Sequence, residues 1–333
     1  MSYESKMLSK LAMPTRELVE HVLLRTLLKH GGVIKEFSSA EETVTGMADD
    51  LALSKPQRSA FLETIYRKEN RLKKARLWHR LLFRAADALS HQRFVSSPTQ
   101  TSQLTGRREW MLTEKGFDEA LRLCNIPETE KESLSIKSYE VQKVVNKLVE
   151  SPKPKDYDPI DKTKRIATVT TESALRGRGF RQAVIEAYEC RCAVCGLKIS
   201  SPDALFWEVE AAHIVPNRAL GRDDVWNGIA MCHLHHWAFD VGWFALLDDY
   251  RIEISSQIQL LPSDFGKMGN YEVIGSLGKQ ATPILLPTRA EFRPDCNAVR
   301  WHREHVFGRR CAVLEEKPYE ETETKENHLF DKC

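Results

Sequence analysis

Two short spacings dominate the second half of the sequence, Cys192-x-x-Cys195-Gly196 and Cys232-x-x-His235. Two thiolates three positions apart, followed by a glycine that lets the backbone turn tightly, make half of a metal knuckle. The second pair completes four soft or borderline ligands, the donor set of a closed tetrahedral structural zinc site, Zn²⁺ being held by all four. Such a site forces the chain between the pairs to return on itself. Cys190 offers a competing Cys-x-Cys pair, but Cys192 keeps the two-residue gap to Cys195, so Cys190 is read as a core residue. Of the eight cysteines, Cys124, Cys296, Cys311 and Cys333 are scattered. In a reducing compartment clustered Cys and His bind metal, and scattered Cys are small core residues or exposed thiols.

The segment from His213 to Asp240 carries its own chemistry. Four of the 11 histidines fall between His213 and His236. His213 ends an apolar-flanked strand and is followed closely by Pro216. His236 and Asp240 lie four apart in a segment that reads as helix, so both project from one face and can grip one divalent cation. A neutral His facing that cation can take a proton from water. Metal-assisted phosphodiester hydrolysis needs that combination.

Taken together, Cys192 to Asp240, the FRQAVIEAYECRCAVCG lead-in and the later WHREHVF resemble an HNH endonuclease of the ββα-metal type. The matching subgroup reads AHI…NG(I/L)A(M/L)C…HHWAFD, and the likeness spans about 175–308. It implies that His213 is the general base and that Asn227 pins the loop orienting it. It also implies that His236 and Asp240 occupy the metal positions, with Mg²⁺ or Mn²⁺ as the ion, and that Cys192, Cys195, Cys232 and His235 are the zinc knuckle. The catalytic set is then His213, Asn227 and His236. One departure stands out: many members place a ligand just before the base, where this chain has Ala212. Glu210, two residues earlier, faces the same side of a strand at about 6–7 Å and can supply the carboxylate through a bridging water; otherwise the metal rests on His236, Asp240 and substrate phosphate.

The first half reads differently. Helical spacing predicts helices at 15–30, 39–53, 55–67 and 70–89, the last an amphipathic helix with a basic flank. Two strands at 92–96 and 108–112, joined by a polar loop, precede a short helix at 117–123. That order is a winged helix-turn-helix, and WMLTEKG after a basic helix resembles the winged-helix domain of Mrr-like restriction proteins. Arg67 to Arg84 holds eight basic residues and one acidic one inside a chain of net charge +2. A local basic stripe points to a polyanionic partner. The candidate phosphate contacts are Arg71, Lys73, Lys74, Arg76, Arg80, Arg84, Arg107 and Arg108. Arg176, Arg178 and Arg181 either contact phosphates or form a solvated helix face.

The expected class is therefore α+β: a winged-helix-like DNA-binding domain (1–126), a helical, charged linker (127–165), an HNH endonuclease domain (166–313) and an acidic, disordered tail (314–333). Trp301 to His305 is expected to pack the C-terminal helix on the core. Length, 333 residues, and 42% hydrophobic with 29% charged residues fit a two-domain soluble protein. The chain has no apolar run long enough for a membrane span and no signal-like N-terminal h-region, so a cytoplasmic location is expected. The leading function is a metal-dependent endonuclease acting on foreign or modified double-stranded DNA, with a homodimer favoured for double-strand cuts. The alternatives are a zinc-stabilised DNA-binding regulator without catalysis, and an RNA- or structure-specific nuclease.

Overall fold

The computed structural model describes residues 3–66, 71–163, 171–256 and 283–308, with the side chains of 64–66, 71–73 and 171 left out. It is a mixed helix-and-sheet molecule with three apolar clusters. The first forms around α2 (Arg16–Lys29), α5 (Leu77–His91) and α7 (Glu114–Cys124). They pack with an antiparallel sheet of β1 (Val33–Lys35), β5 (Glu109–Leu112) and β4 (Val95–Ser96), in that spatial order. Thr15 caps α2 by accepting from the Leu18 amide at 3.3 Å, satisfying a donor that the first helical turn leaves unpaired.

The structure corrects several helical expectations here. Residues 55–67 and 70–89 are not two helices. A one-turn α4 (Lys55–Ser59) is followed by β2 (Phe61–Tyr66) and β3 (Arg71–Arg76), paired from Phe61↔Arg76 to Tyr66↔Arg71. The apolar residues Leu72, Ala75 and Trp78 fit a helical period, but strand β2 is rich in aromatic and β-branched residues, and pairing with it overrides local helix preference. Helix α5 begins at Leu77, whose amide bonds Ala60 O at 2.8 Å to close the hairpin. Helix 39–53 shortens to α3 (Glu41–Asp50). The expected polar loop between β4 and β5 is helix α6 (Pro98–Thr105). Ser97, Pro98 and Gln100 explain it: a capping box with proline in the first turn is a helix-start signal.

The second cluster gathers α9 (Thr171–Ala187), the hairpin of β6 (Val209–His213) and β7 (Gly228–Cys232), and α10 (His233–Asp240). The hairpin β8 (Phe244–Leu246) and β9 (Ile252–Ile254) and the helix α11 (Cys296–His302) complete it. His302 is buried, stacks on Phe239 at 3.6 Å and bonds its carbonyl oxygen at 3.1 Å. Burial pushes its pKa down to about 4, so it is a neutral core residue.

Of the span expected to be a helical, charged linker, 127–165, the structure describes residues 127–163. Helix α8 (Tyr139–Glu150) buries Val141 and Val145 in the third cluster, with Ala183 and Trp226. Beyond it Lys153 pairs with Asp295, and Tyr157 is buried against Trp226, ring centroids 5.5 Å apart. Polar residues bridge the two halves. Arg178 of α9, 6% exposed in its side chain, reaches Glu114 of α7 at 2.6 Å, and Lys131 joins the same carboxylate at 3.1 Å. Burial opposes the charge on Glu114, yet Arg178 and Ser138 hold its pKa below the ordinary value. Arg178 is therefore occupied as an internal partner, and Arg181 donates to the Glu132 carbonyl. The acidic tail lies outside the described residues.

Candidate active site and metal centre

Cys192 and Cys195 sit in the turn after α9. There the Gly196 amide bonds Cys192 O at 2.8 Å and Gly196 adopts a positive φ of 75°, the left-handed conformation that glycine takes without strain. The Ala193 amide bonds Ala230 O at 2.8 Å, which ties the knuckle to β7. Cys232 ends β7 and His235 lies in the first turn of α10. The four side chains converge, with all ligand atoms within 4.8 Å of one another. Cys232 Sγ lies 2.9 Å and Cys192 Sγ 3.6 Å from His235 Nδ1. Cys192, Cys232 and His235 are buried.

Hydrogen bonds from Cys195 and Cys232 pull the Cys192 thiol far below its usual range, and the same contacts push Cys232 up. Burial lowers the His235 pKa, but Cys192 and Cys195 outweigh it and raise the value to about 9. Three thiols and one imidazole converging within 4.8 Å are a donor set whose protons a cation would displace. The residues therefore fit a metal. Cys190 stands outside the group, its thiol pushed up by burial.

On the other side of α10, Glu210 of β6 is 2.9 Å from His236 Nδ1, and Asp240 is 3.7 Å from His236 Nε2. Hydrogen bonding to His236 lowers the Glu210 pKa. Burial would lower that of His236, but the Glu210 and Asp240 carboxylates raise it above the ordinary value. His233 lies 3.3 Å from both Glu210 and Glu208, a neighbour that sequence spacing did not single out. Ala212 is fully buried and, as alanine, carries no ligand atom. The trio of carboxylate, imidazole and carboxylate is half-exposed, with Asp240 and Glu210 at 50% and 42%. Glu210 and Asp240 approach different nitrogens of the His236 ring, and among the described residues only Cys192, Cys195, Cys232 and His235 converge as a group that could hold a metal.

His213 closes β6. Its ring stacks on Phe180 of α9, centroids 4.0 Å apart, and its Nε2 lies 3.0 Å from Asp223 Oδ1. Gly228 is its register partner. A Cβ there would come within 2.4 Å of Val184, so glycine lets α9 close over the strand end. Asn227 is fully buried. Its Oδ1 accepts from the Val215 amide at 2.8 Å, and its Nδ2 donates to Val215 O at 3.0 Å and Arg222 O at 2.9 Å. Among the described residues no hydrogen bond or ion pair joins His213 to the Glu210–His236–Asp240 trio. Asp223 and Phe180 were not legible as site residues, because only the folded loop brings them to His213.

The basic candidates do not form one helical stripe. Arg71, Lys73, Lys74 and Arg76 lie on strand β3, where the side chains of Arg71 and Lys73 fall outside the described residues, while Arg80 and Arg84 lie on α5. Lys74 pairs with Glu63 at 2.9 Å, Arg80 and Arg84 share Glu4 at 3.1 and 2.8 Å, and Arg108 pairs with Glu36 at 2.7 Å. Arg76 and Arg107 are exposed.

Residues 192–247 match the HNH endonuclease family model, and that span contains both ligand groups and His213. The chain thus carries an HNH endonuclease domain, an enzyme module of the nuclease class. Among solved structures it is similar to a modification-dependent TagI restriction endonuclease, at 21% identity and a TM-score of 0.27. That alignment covers 38% of this chain and 37% of that chain. No curated protein matches the sequence. Among the described residues no helix is long and apolar enough to cross a membrane.

Proposed function

We propose that the chain is a divalent-metal-dependent endonuclease that hydrolyses phosphodiester bonds of double-stranded DNA, acting in restriction of foreign or modified DNA. The observation that carries the reading is one ββα unit holding both His213 and the Glu210–His236–Asp240 trio within the HNH-matched residues. His213 would take the proton from the attacking water. Asn227 would hold the strand end and the following loop in register, so that the imidazole meets that water in a fixed orientation. Glu210, His236 and Asp240 would hold Mg²⁺ or Mn²⁺, and Cys192, Cys195, Cys232 and His235 would hold structural Zn²⁺. When bound at the trio, a divalent cation stabilises charge on the pentacovalent phosphorus and the leaving oxygen.

The N-terminal half is read as a winged-helix-like DNA-binding domain. Its support is the helical set packed with the β1-β5-β4 sheet and the basic residues on β3 and α5. Exposed Lys and Arg there would contact phosphates, giving affinity without sequence information. One site per chain cuts one strand at a time, so a homodimer is proposed for double-strand breaks.

The test is a substrate panel with Mg²⁺, Mn²⁺ or chelator: unmodified duplex, duplex carrying modified cytosines, single-stranded DNA and RNA. The reading expects metal-dependent cutting of duplex DNA, strongest on modified or foreign DNA. Preferential cutting of RNA would replace the substrate class. Duplex binding without cutting under any metal would favour a zinc-stabilised regulator.

A further inference from the structure

The loop between Pro216 and Asn227 is fixed from two sides, and the residue at its centre is the one that meets His213. Asn227 donates to Arg222 O at 2.9 Å, and its own amide bonds Asp224 O at 3.1 Å. From the other side comes the segment after α8. Asp161 N bonds Leu220 O at 2.8 Å, Arg222 N bonds Pro159 O at 3.0 Å, and Ile160 bridges Gly221. Tyr157 donates to Asp224 Oδ1 at 2.6 Å, its phenol kept protonated by burial and by the Asp224 carboxylate. Gly221 permits this packing, since a Cβ there would fall 1.8 Å from Val215 O. Both neighbours of Asp223 are thus pinned, and its side chain, 12% exposed, is delivered to His213 Nε2 at 3.0 Å. On the His213 side, Phe180 stacking fixes the ring plane, with an interplanar angle of 19°.

We infer that Asp223 is a positioning residue for the base. Its carboxylate accepts the Nε2 proton of His213 and so selects the tautomer that leaves Nδ1 unprotonated. Among the described residues Nδ1 has no hydrogen-bond partner, and it is the atom left to take a proton from water. A carboxylate on one ring nitrogen fixes both orientation and tautomer, and stabilises the imidazolium that forms when the other nitrogen accepts the proton. The proton moves from water to Nδ1, the resulting hydroxide attacks phosphorus, and the bond to the leaving oxygen breaks with its electron pair going to that oxygen, which takes a proton from solvent. Asp223 stays ionised throughout. The segment 157–161 belongs to the same device, because it holds the loop that carries Asp223. This inference rests on the nuclease reading above.

The experiment compares the full chain with Asp223→Asn, Asp223→Glu, His213→Ala and the Asp223→Asn/His213→Ala double variant. Single-turnover cutting of a duplex is followed across DNA and Mn²⁺ concentrations, with zinc content and thermal melting as folding controls. The expected result is a fall of about 10–100-fold in the cutting rate for Asp223→Asn, in the range seen when partners that orient a functional histidine are removed. Half-saturation by DNA and by Mn²⁺ should stay unchanged, and Asp223→Glu should recover part of the rate. The double variant should be no slower than His213→Ala, since residues acting as one unit are not additive. The ¹⁵N shifts of the His213 ring should show a proton on Nε2 in the wild type, with that preference lost in Asp223→Asn.

Wild-type rates and an unchanged ring signature in Asp223→Asn would overturn the inference and leave the nuclease reading intact. A raised Mn²⁺ requirement with full rate at saturation would also overturn it, making Asp223 a metal ligand. If the folded wild type cuts no duplex, the nuclease reading fails and this inference fails with it.

Discussion

Helix α10 contributes to two donor groups, and on the proposed reading their contrast separates a part that holds the fold from a part that works. The Cys192, Cys195, Cys232 and His235 set draws its ligands from a turn, a strand end and a helix start, with three of the four buried. It has four donors, soft sulfur and nitrogen, and needs no ligand from outside. The Glu210, His236 and Asp240 set is half-exposed, and on the proposed reading solvent or substrate would complete its coordination of a divalent ion. Closed sites stabilise and open sites react. On that reading the same short helix would fix the position of the open set by anchoring the closed one.

The contrast can be broken most severely at the closed set. Cys232→Ser, or prolonged exposure to a strong chelator, should remove the zinc and melt the 192–247 module. Structural zinc contributes about 10–16 kcal/mol of apparent binding free energy in small zinc domains. Metal analysis and circular dichroism would read the loss, and a folded, cooperative, metal-free variant would contradict the assignment. At the open set, His236→Ala should leave zinc content and melting nearly unchanged while raising the Mg²⁺ or Mn²⁺ needed for half-maximal cutting by about tenfold or more. If it instead lost one zinc per chain, the division between the two sets would fail. The mildest expectation concerns Cys190: Cys190→Ser should keep one zinc per chain and shift stability by less than about 1 kcal/mol, checked by metal stoichiometry and a urea titration.

The same contrast explains what was legible in the sequence. Ligand pairs three apart in a knuckle, and His236 with Asp240 one helical turn apart, are local patterns, and they could be read before any fold was known. The β-hairpin at 61–76 could not, because Leu72, Ala75 and Trp78 satisfy a helical period and only pairing with Phe61–Tyr66 decides otherwise. Helix α6 was missed for another reason. Its polar face resembles a loop, although Ser97, Pro98 and Gln100 carried the start signal. Asp223 and Phe180 reach His213 through tertiary packing alone, from a loop and a different helix. The Pro-Lys-Pro run reads as a spacer by composition, while Lys153, Tyr157 and the backbone of 159–161 dock the segment through contacts distant in sequence.

The central claim is that His213 is the base of a working nuclease, and it is tested by cutting rates on one duplex with wild type and His213→Ala matched for zinc content and melting temperature. With Mg²⁺ or Mn²⁺ present, the account predicts cutting by the wild type and a loss of about 10²–10⁴-fold in the variant, the usual contribution of a general base. Equal rates in the two proteins would remove His213 from the reaction and contradict the account.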